Sequence, residues 1–283
     1  MVVLSAFALT LVFAGPRALA VTRARMAELS RSLPRGPLVA LDRVGFAAAP
    51  DWLRGDLLTA VALDLAPVLS GHVGLTDEAE ATRLLAGLHA VPWVRSASLQ
   101  RVYPDRLRAR LDLRRPVARL ALGDRAQAFD AEGVCLPCPD RVELPLIDVL
   151  RPEPGVPGQR HHDAAVVHAA AVAAEWARDV APRVEGAPAL VRVDTRNLDY
   201  RADPAHWCEV RVALARADGG VAWFDYDHPP GSTAPRVAPE VKARVLRAVL
   251  DAHPGLAGVA AADLRFPNRW QAWVRAEAPP APP

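Results

Sequence analysis

WVRSASLQRVYPDRLRARLDL, residues 93–113, decides the fold of the first half of this chain. Leucine or alanine occupies every second position from 107 to 113, and charged residues stand between them. Strict alternation is typical of a β-strand with one buried face, and the Pro-Asp turn before it predicts a hairpin. We expect Leu111 to be buried beneath helices and Arg108 to lie on the exposed face.

Three further elements precede the hairpin. A strand pattern covers residues 38–46, and helical patterns cover residues 51–65 and 77–90. Asp51 and Thr76 are the expected N-caps of the two helices. The order strand, helix, helix, strand, strand predicts two helices on one face of a three-stranded sheet.

The rest of the sequence predicts a second, larger unit. Turn residues at 123–124 and 130–133 separate short extended segments, and helical patterns cover residues 162–180 and 240–253. Further strands are predicted at residues 190–194, 207–214, 221–226, 263–266 and 270–274. The predicted fold class is α+β, with a small domain at residues 38–115 and a mixed β domain with flanking helices at residues 116–276.

The first 22 residues predict a membrane segment. A helix over residues 2–22 would be about 31 Å long, enough to cross the hydrocarbon core of a bilayer. We interpret residues 1–22 as a transmembrane helix or signal anchor and residues 23–37 as a connector. A cleaved signal peptide ending near Ala20 and a buried core helix are the alternatives. The proline-rich residues 277–283 predict a disordered tail.

The charges around this apolar segment conflict with the expected topology. Arg17, Arg23 and Arg25 all follow it and none precedes it. Taken literally, the positive-inside rule would keep the body of the chain in the cytoplasm. We expect instead that an upstream extension carries arginine and that residues 38–275 lie outside the cytoplasm.

Composition excludes several classes of function. The chain has 34 basic and 32 acidic residues, a net charge of +2, so the basic excess of a nucleic-acid binder is absent and no nucleic-acid partner is expected. Three cysteines are too few for a disulfide scaffold. No phosphate-binding loop, serine-hydrolase elbow or zinc-protease motif occurs. We therefore expect no cofactor, no metal and no catalytic site.

Cys135 and Cys138 form a Cys-x-x-Cys spacing. This spacing fits two free thiols or a local disulfide in a loop, and the sequence leaves that choice open. A catalytic redox pair would be expected where a strand meets a helix, whereas a β-turn precedes these residues. A zinc site would need four ligands, and Cys208 is better explained by core packing.

Several motifs follow one another in a fixed order. They are Pro92-Trp93-Val94, the basic-aromatic-Pro-Asp turn at residues 101–105, the alternating strand, Arg115-Pro116-Val117-Ala118, the Asp-x-x-Gly turn at residues 130–133, and Asp263-Leu264-Arg265-Phe266. In this order they resemble the FtsQ/DivIB family of bacterial cell-division proteins, collinearly from about residue 38 to residue 275. The connection at residues 66–76 departs from the family pattern.

The resemblance implies a non-enzymatic scaffold of the division machinery that helps septum assembly. It implies a cytoplasmic (inner) membrane anchor at residues 2–22, then a POTRA domain and a β domain outside that membrane. The partners implied are other membrane-anchored division proteins, FtsB/FtsL-like, bound by β-augmentation on the last strand. The expected partner-binding residues are Phe266, Asn268, Trp270, Gln271 and Trp273.

An independent argument concerns the two tryptophans of this segment. Trp270 and Trp273 are three residues apart and would face opposite sides of a regular strand, which leaves one of them exposed. An exposed tryptophan on a terminal strand is a plausible interface anchor.

Two other functions are alternatives. The first is a POTRA-bearing transport or secretion component, which usually has several POTRA units or a long transmembrane barrel. The second is an exported thiol-redox protein using Cys135 and Cys138.

Overall fold

The computed structural model describes residues 38–40, 50–102, 106–139, 142–203 and 208–276. These residues form a mixed α+β fold with a large sheet, as the sequence predicts. The helices are α1 (Gly55–Leu65), α2 (Glu78–Ala90), α3 (Ala164–Glu175) and α4 (Pro239–Ala252). The strands are β1 (Leu38–Ala40), β2 (His72–Gly74), β3 (Val94–Val102), β4 (Arg106–Leu113), β5 (Ala118–Leu122), β6 (Arg125–Phe129), β7 (Cys135–Pro137), β8 (Leu146–Asp148), β9 (Leu190–Asp194), β10 (Val210–Ala215), β11 (Val221–Asp227), β12 (Val259–Asp263) and β13 (Arg275–Ala276).

The N-terminal part has a different strand arrangement from the predicted one. The described residues show two separate two-stranded antiparallel sheets, β1–β2 and β3–β4, rather than one three-stranded sheet. The prediction missed β2 because it has only three residues, His72–Gly74, within the connection between the helices. The order of elements is therefore strand, helix, strand, helix, strand, strand.

Both predicted helix caps are wrong by a few residues. Residues 50–54 form a turn, in which the Leu53 N–H donates to the Pro50 carbonyl at 2.9 Å, so α1 begins after Arg54 rather than at Asp51. Asp77, not Thr76, caps α2, because its carboxylate accepts the backbone N–H groups of Ala79 and Glu80. These N–H groups have no intrahelical acceptor, so the Asp77 side chain satisfies them.

The predicted hairpin is confirmed, with one correction to its burial. Leu107 and Ala109 are buried and Arg108 is exposed, as the alternation predicts. Leu111, expected to be buried, is only half-buried because it lies farther along the strand, at the rim of the N-terminal cluster. Trp93 is fully buried at the start of the hairpin and its indole N–H donates to Asp64 of α1 at 2.9 Å.

A nine-stranded sheet dominates the second part of the chain. Its strand order is β13-β12-β11-β10-β9-β8-β5-β6-β7, with parallel pairs β5–β8, β8–β9 and β11–β12. The apolar residues of α3 and α4 join one face of the sheet in a single core, which we call the sheet cluster. The predicted helices at residues 162–180 and 240–253 and the strands at residues 190–194 and 221–226 are confirmed within a few residues.

β6 and β7 are buried on both faces. Phe129 and Cys135 are register partners in the sheet cluster, and Ala128 and Leu136 are register partners on the opposite face. Ala128 and Leu136 belong to the second core, which α1, α2 and the hairpin complete and which we call the N-terminal cluster. The two hydrophobic cores therefore pack back to back on the same two strands.

The link between the two clusters is held by Asp130. Its fully buried carboxylate accepts the backbone N–H groups of Glu132 and Val134 within its own turn and a 2.7 Å hydrogen bond from Arg114. Gly133 ends this turn with a positive φ of 76°, and a Cβ there would lie 2.8 Å from Val167 of α3. The Asp-x-x-Gly motif thus fixes a turn that packs against α3.

Several predictions fall outside the described residues. These are the apolar segment of residues 2–22, the connector, most of the strand pattern at residues 38–46, the turn at residues 103–105 and the tail at residues 277–283. In the part of the chain that the structure describes, none of the helices has the length and apolar character needed to cross a membrane.

The burial of the hairpin predicts a graded response to truncation. Leu107→Ala should lower the free energy of unfolding by about 2–5 kcal/mol, through lost burial plus a cavity. Leu111→Ala should cost less because Leu111 is half-buried, and Arg108→Ala should change stability by less than about 0.5 kcal/mol. Denaturant unfolding measures all three, and equal effects at positions 107 and 108 would contradict the register.

Candidate partner-binding edge

The two edges of the large sheet differ in how they are covered. At β7, the Cys135 N–H donates to the Gln159 carbonyl and the Gly158 N–H donates to the Cys135 carbonyl, both at 2.8 Å, so a loop protects this edge. At the other edge, β13 contributes only two residues, paired with Val259 and Ala261 of β12. Beyond β13, the described residues place no further strand. Within the part of the chain that the structure describes, this edge is the less protected one.

The predicted last strand pair is wrong in position. The strand is β12, residues 259–263, which runs parallel to β11, and residues 270–273 form a 3₁₀ helix instead of a strand. The alanine-rich sequence of β12 has low β-propensity, and a parallel strand shows no alternation, so both sequence signals are weak there. Pro267 cannot donate to a ladder, and the chain turns at that point.

Asp263 and Arg265 fix the direction of the chain as it leaves the sheet. Asp263 accepts the Arg265 backbone N–H at 2.9 Å and both ends of its guanidinium, at 2.9 and 2.6 Å. Both side chains are almost fully buried. A bidentate arginine–carboxylate pair restricts both partners, so it holds the following Phe266 in a defined place. Asp194 and Arg196 repeat this arrangement after β9.

The five predicted partner-binding residues fall into three settings. Phe266 and Trp273 stack on each other, with ring centroids 5.3 Å apart and planes 22° apart. Trp270 packs partly against the sheet cluster, whereas Asn268 and Gln271 are exposed. The two tryptophans were expected to face opposite sides of a strand. This expectation is wrong because residues 270–273 form a 3₁₀ helix, in which residues three apart lie on the same side. Their role in partner binding stays a prediction.

A small pocket of about 180 Å³ lies beside the aromatic stack. Trp273 and Ala261 contribute apolar surface, and Arg211, Asp225 and Arg275 contribute charge. Arg211 lies 3.3 Å from Asp225 and 5.1 Å from the ring centre of Trp223, whereas Arg275 is exposed. The pocket therefore combines an apolar wall with charged groups, as a surface for a polypeptide partner does.

A buried charged cluster, which the sequence prediction missed, holds α4 against the sheet. Glu175 accepts hydrogen bonds from Tyr226 at 2.6 Å and from Arg236 at 2.7 Å, and Lys242 lies 3.5 Å from the same carboxylate. The Lys242 ammonium also lies 3.6 Å from the ring centre of Tyr226. The helix α4 contacts the 3₁₀ helix of residues 270–273. By holding α4 in place, this cluster also stabilises the position of that 3₁₀ helix.

A sequence signal for this cluster exists. Lys242, the one lysine of the chain, lies on the same helical face as Val245, Leu246 and Val249, at spacings of three, four and seven residues. A lysine within an apolar helical stripe predicts either a buried charge or a helix boundary, and the structure shows the former.

The ionisation of this cluster follows from its burial. Burial lowers the pKa of Lys242 from 10.5 to about 8, although Glu175 opposes this. Burial raises the pKa of the Glu175 carboxyl, but hydrogen bonds from Arg236 and Tyr226 and the charge of Lys242 outweigh it, so the pKa lies below its usual value. Burial and the neighbouring Glu175 raise the pKa of Tyr226 well above its usual value.

The cysteines are buried or half-buried thiols. Burial raises the pKa of Cys135 to about 11 and also raises that of Cys208 to about 11, so both thiols are protonated at neutral pH and are poor nucleophiles or metal ligands. Cys138 is half-buried, and no disulfide joins these three cysteines in the structure. Among the described residues, no three or more His, Cys, Asp or Glu side chains come together as a metal site.

Comparison with known proteins gives a local match. No family model matches the sequence. A cell division protein FtsQ from Koribacter versatilis (strain Ellin345) is 45% identical to this chain over 49 residues. The matched segment covers 17% of this chain and 14% of that protein. This partial similarity hints at the FtsQ family and at a role in cell division, and it extends no further along the chain.

The buried cluster predicts opposite effects of two substitutions. Lys242→Met keeps the length of the side chain and removes a charge that burial disfavours, so it should leave the protein as stable or more stable at pH 7. Glu175→Gln leaves Arg236 and Lys242 without their counter-ion and should cost about 3–5 kcal/mol.

The pH dependence provides the control. The folded-state pKa of Lys242 lies below its unfolded value, so the charged ammonium costs stability at pH 7, and this cost falls as pH rises from about 8 toward 10.5. The stability advantage of Lys242→Met should therefore shrink over that range in denaturant unfolding. A Met variant as unstable at pH 7 as Glu175→Gln would show that the lysine charge is stabilising.

Proposed function

We propose that this protein is a non-enzymatic scaffold of the bacterial division machinery, anchored in the cytoplasmic membrane by residues 2–22. Its body lies outside the cytoplasm and helps septum assembly by binding other membrane-anchored division proteins of the FtsB/FtsL type. The short similarity to a cell division protein FtsQ supports the division role, and the apolar residues 2–22 support the anchor.

The observation that carries the proposal is the unequal protection of the sheet edges. A loop covers β7, whereas at the opposite edge the described residues end the sheet with the two-residue β13. An extended partner segment can add to such an edge through backbone hydrogen bonds. Because β13 offers few backbone groups, side chains must supply most of the affinity. Phe266 and Trp273 are the aromatic anchors beside this edge, and Arg275 is the exposed charge.

The N-terminal cluster has a separate role in this proposal. We assign residues 38–115 to a POTRA-like domain that lies next to the membrane and takes part in recruitment. Two helices packed on a hairpin and the short connector at residues 23–37 support this assignment.

Truncation of the aromatic stack tests the proposed interface. Phe266→Ala or Trp273→Ala should weaken binding of tagged FtsB/FtsL-type proteins by roughly thirtyfold, because an interface anchor contributes about 2 kcal/mol. Pull-down of the full chain from detergent extracts measures binding, and circular dichroism and thermal melting check the fold. Tyr200→Ala removes an exposed aromatic residue away from the edge and serves as the matched control.

A second variant covers the case in which the aromatic variants unfold. Arg275→Glu changes an exposed side chain on β13 and should fold as wild type while binding more weakly. Wild-type binding by folded Phe266, Trp273 and Arg275 variants would place the interface elsewhere. Trp270→Ala is expected to lower stability as well as binding, because Trp270 also packs against the sheet cluster.

A further inference from the structure

A second surface lies where the two clusters meet, away from the sheet edge. A groove of about 590 Å³ opens between the segment that links the clusters and the end of α3. Arg115, Pro116 and Val117 form one wall, and Ala173 and Ala177 belong to the other. A groove of this volume is large enough to enclose one or two bulky side chains of a ligand.

Three arginines are the charged residues that line the groove among the described residues. Arg95, Arg115 and Arg178 line it, and none of the carboxylates that the structure describes does. Arg95 is 2.5 Å from Glu132, and Arg178 is 2.7 Å from the neighbouring Asp179, so two of these charges are compensated. Arg115 is exposed, and the described residues provide no ion pair for it.

The wall opposite Arg115 has an unusual backbone. Residues 176–180 continue α3 as a turn of π-helix, a rare conformation that occurs often at functional sites. Trp176 is buried at this turn, whereas Ala177 is exposed and lines the groove. This wall has short side chains, the alanines at positions 173, 174, 177 and 181, so the groove has room for a side chain of a ligand.

We propose that this groove binds a polypeptide segment of a partner protein in which a bulky apolar side chain lies next to a carboxylate. The apolar side chain fills the space over Ala173 and Ala177, and the carboxylate pairs with Arg115, whose planar fork matches carboxylate geometry. We favour a polypeptide as the occupant because the proposed scaffold function, on which this inference rests, consists of binding other proteins. Since both clusters contribute residues to the groove, the bound segment would contact both and stabilise their packing against each other.

Photo-cross-linking in living cells tests which molecule occupies the groove. The full chain carries p-benzoylphenylalanine at position 177, or at Ala86, an exposed alanine of α2, as the matched control. The proposal expects a discrete protein adduct at position 177 that is at least tenfold stronger than at position 86. Mass spectrometry of the adduct should identify a segment with an Asp or Glu beside a bulky apolar residue.

Charge reversal tests the role assigned to Arg115. Arg115→Glu should reduce the adduct at least tenfold, whereas Arg125→Glu, on an exposed arginine outside the groove, should leave it unchanged. Changing the identified acidic residue of the partner to arginine should restore the adduct with Arg115→Glu. Thermal melting of each variant confirms that it folds.

Three results would overturn the proposal. They are no adduct at position 177, an adduct with lipid or with a second copy of this chain, and an adduct that Arg115→Glu leaves unchanged. The same cells carry a second probe at position 275, on the candidate edge. If the adduct at position 177 is absent while the adduct at position 275 forms, the groove proposal alone is refuted. If the adduct at position 275 is absent while the adduct at position 177 forms, the proposed edge alone is refuted.

Discussion

Burial of β6 and β7 on both faces is the constraint on which the rest of this structure depends. Ala128 and Leu136 face the N-terminal cluster, while their neighbours Phe129 and Cys135 face the sheet cluster. Neither face of these strands can be hydrated without exposing one core, so the two clusters are tied through a shared backbone rather than through a flexible linker. The buried Asp130 stabilises the same junction. Its carboxylate pairs with Arg114 and accepts a backbone hydrogen bond that closes the turn after β6.

This constraint determines where the proposed binding surfaces lie. One end of the large sheet is occupied by the N-terminal cluster, and a loop covers its last strand. Among the described residues, the less protected edge therefore lies at the opposite end, at β13. There the Asp263–Arg265 pair directs Phe266 onto Trp273, and the Glu175 cluster holds α4 behind them. The groove at the junction is formed by both clusters. The two proposed binding surfaces, the edge at β13 and the groove, therefore lie at separate places on a common core.

Part of this arrangement follows from the sequence and part does not. The alternation of residues 107–113 and the Asp-x-x-Gly turn at residues 130–133 predict local structure correctly, because each depends on neighbouring residues. The three-residue β2 and the parallel β12 were missed or misplaced, because their strand conformation is set by distant partners and their residues carry little β-propensity. The predicted aromatic site contained Phe266 and Trp273, but their stacking depends on the 3₁₀ helix of residues 270–273. An alternation of apolar and polar residues indicates strands and cannot reveal such a helix. The Glu175 cluster joins α3, β11, α4 and the loop before α4, and only the lone lysine indicated it in the sequence.

Hydrogen exchange of a Leu136→Ala variant tests the shared core most directly. Leu136 is fully buried in the N-terminal cluster, and its truncation should cost about 2–5 kcal/mol. If β6 and β7 tie the clusters into one cooperative unit, amides of β3–β4 and of β9–β11 should lose protection by the same free energy. Leu150→Ala, at an exposed leucine, should leave both sets unchanged. Faster exchange confined to β3–β4, with β9–β11 as in the wild type, would show that the clusters unfold independently and would contradict the account.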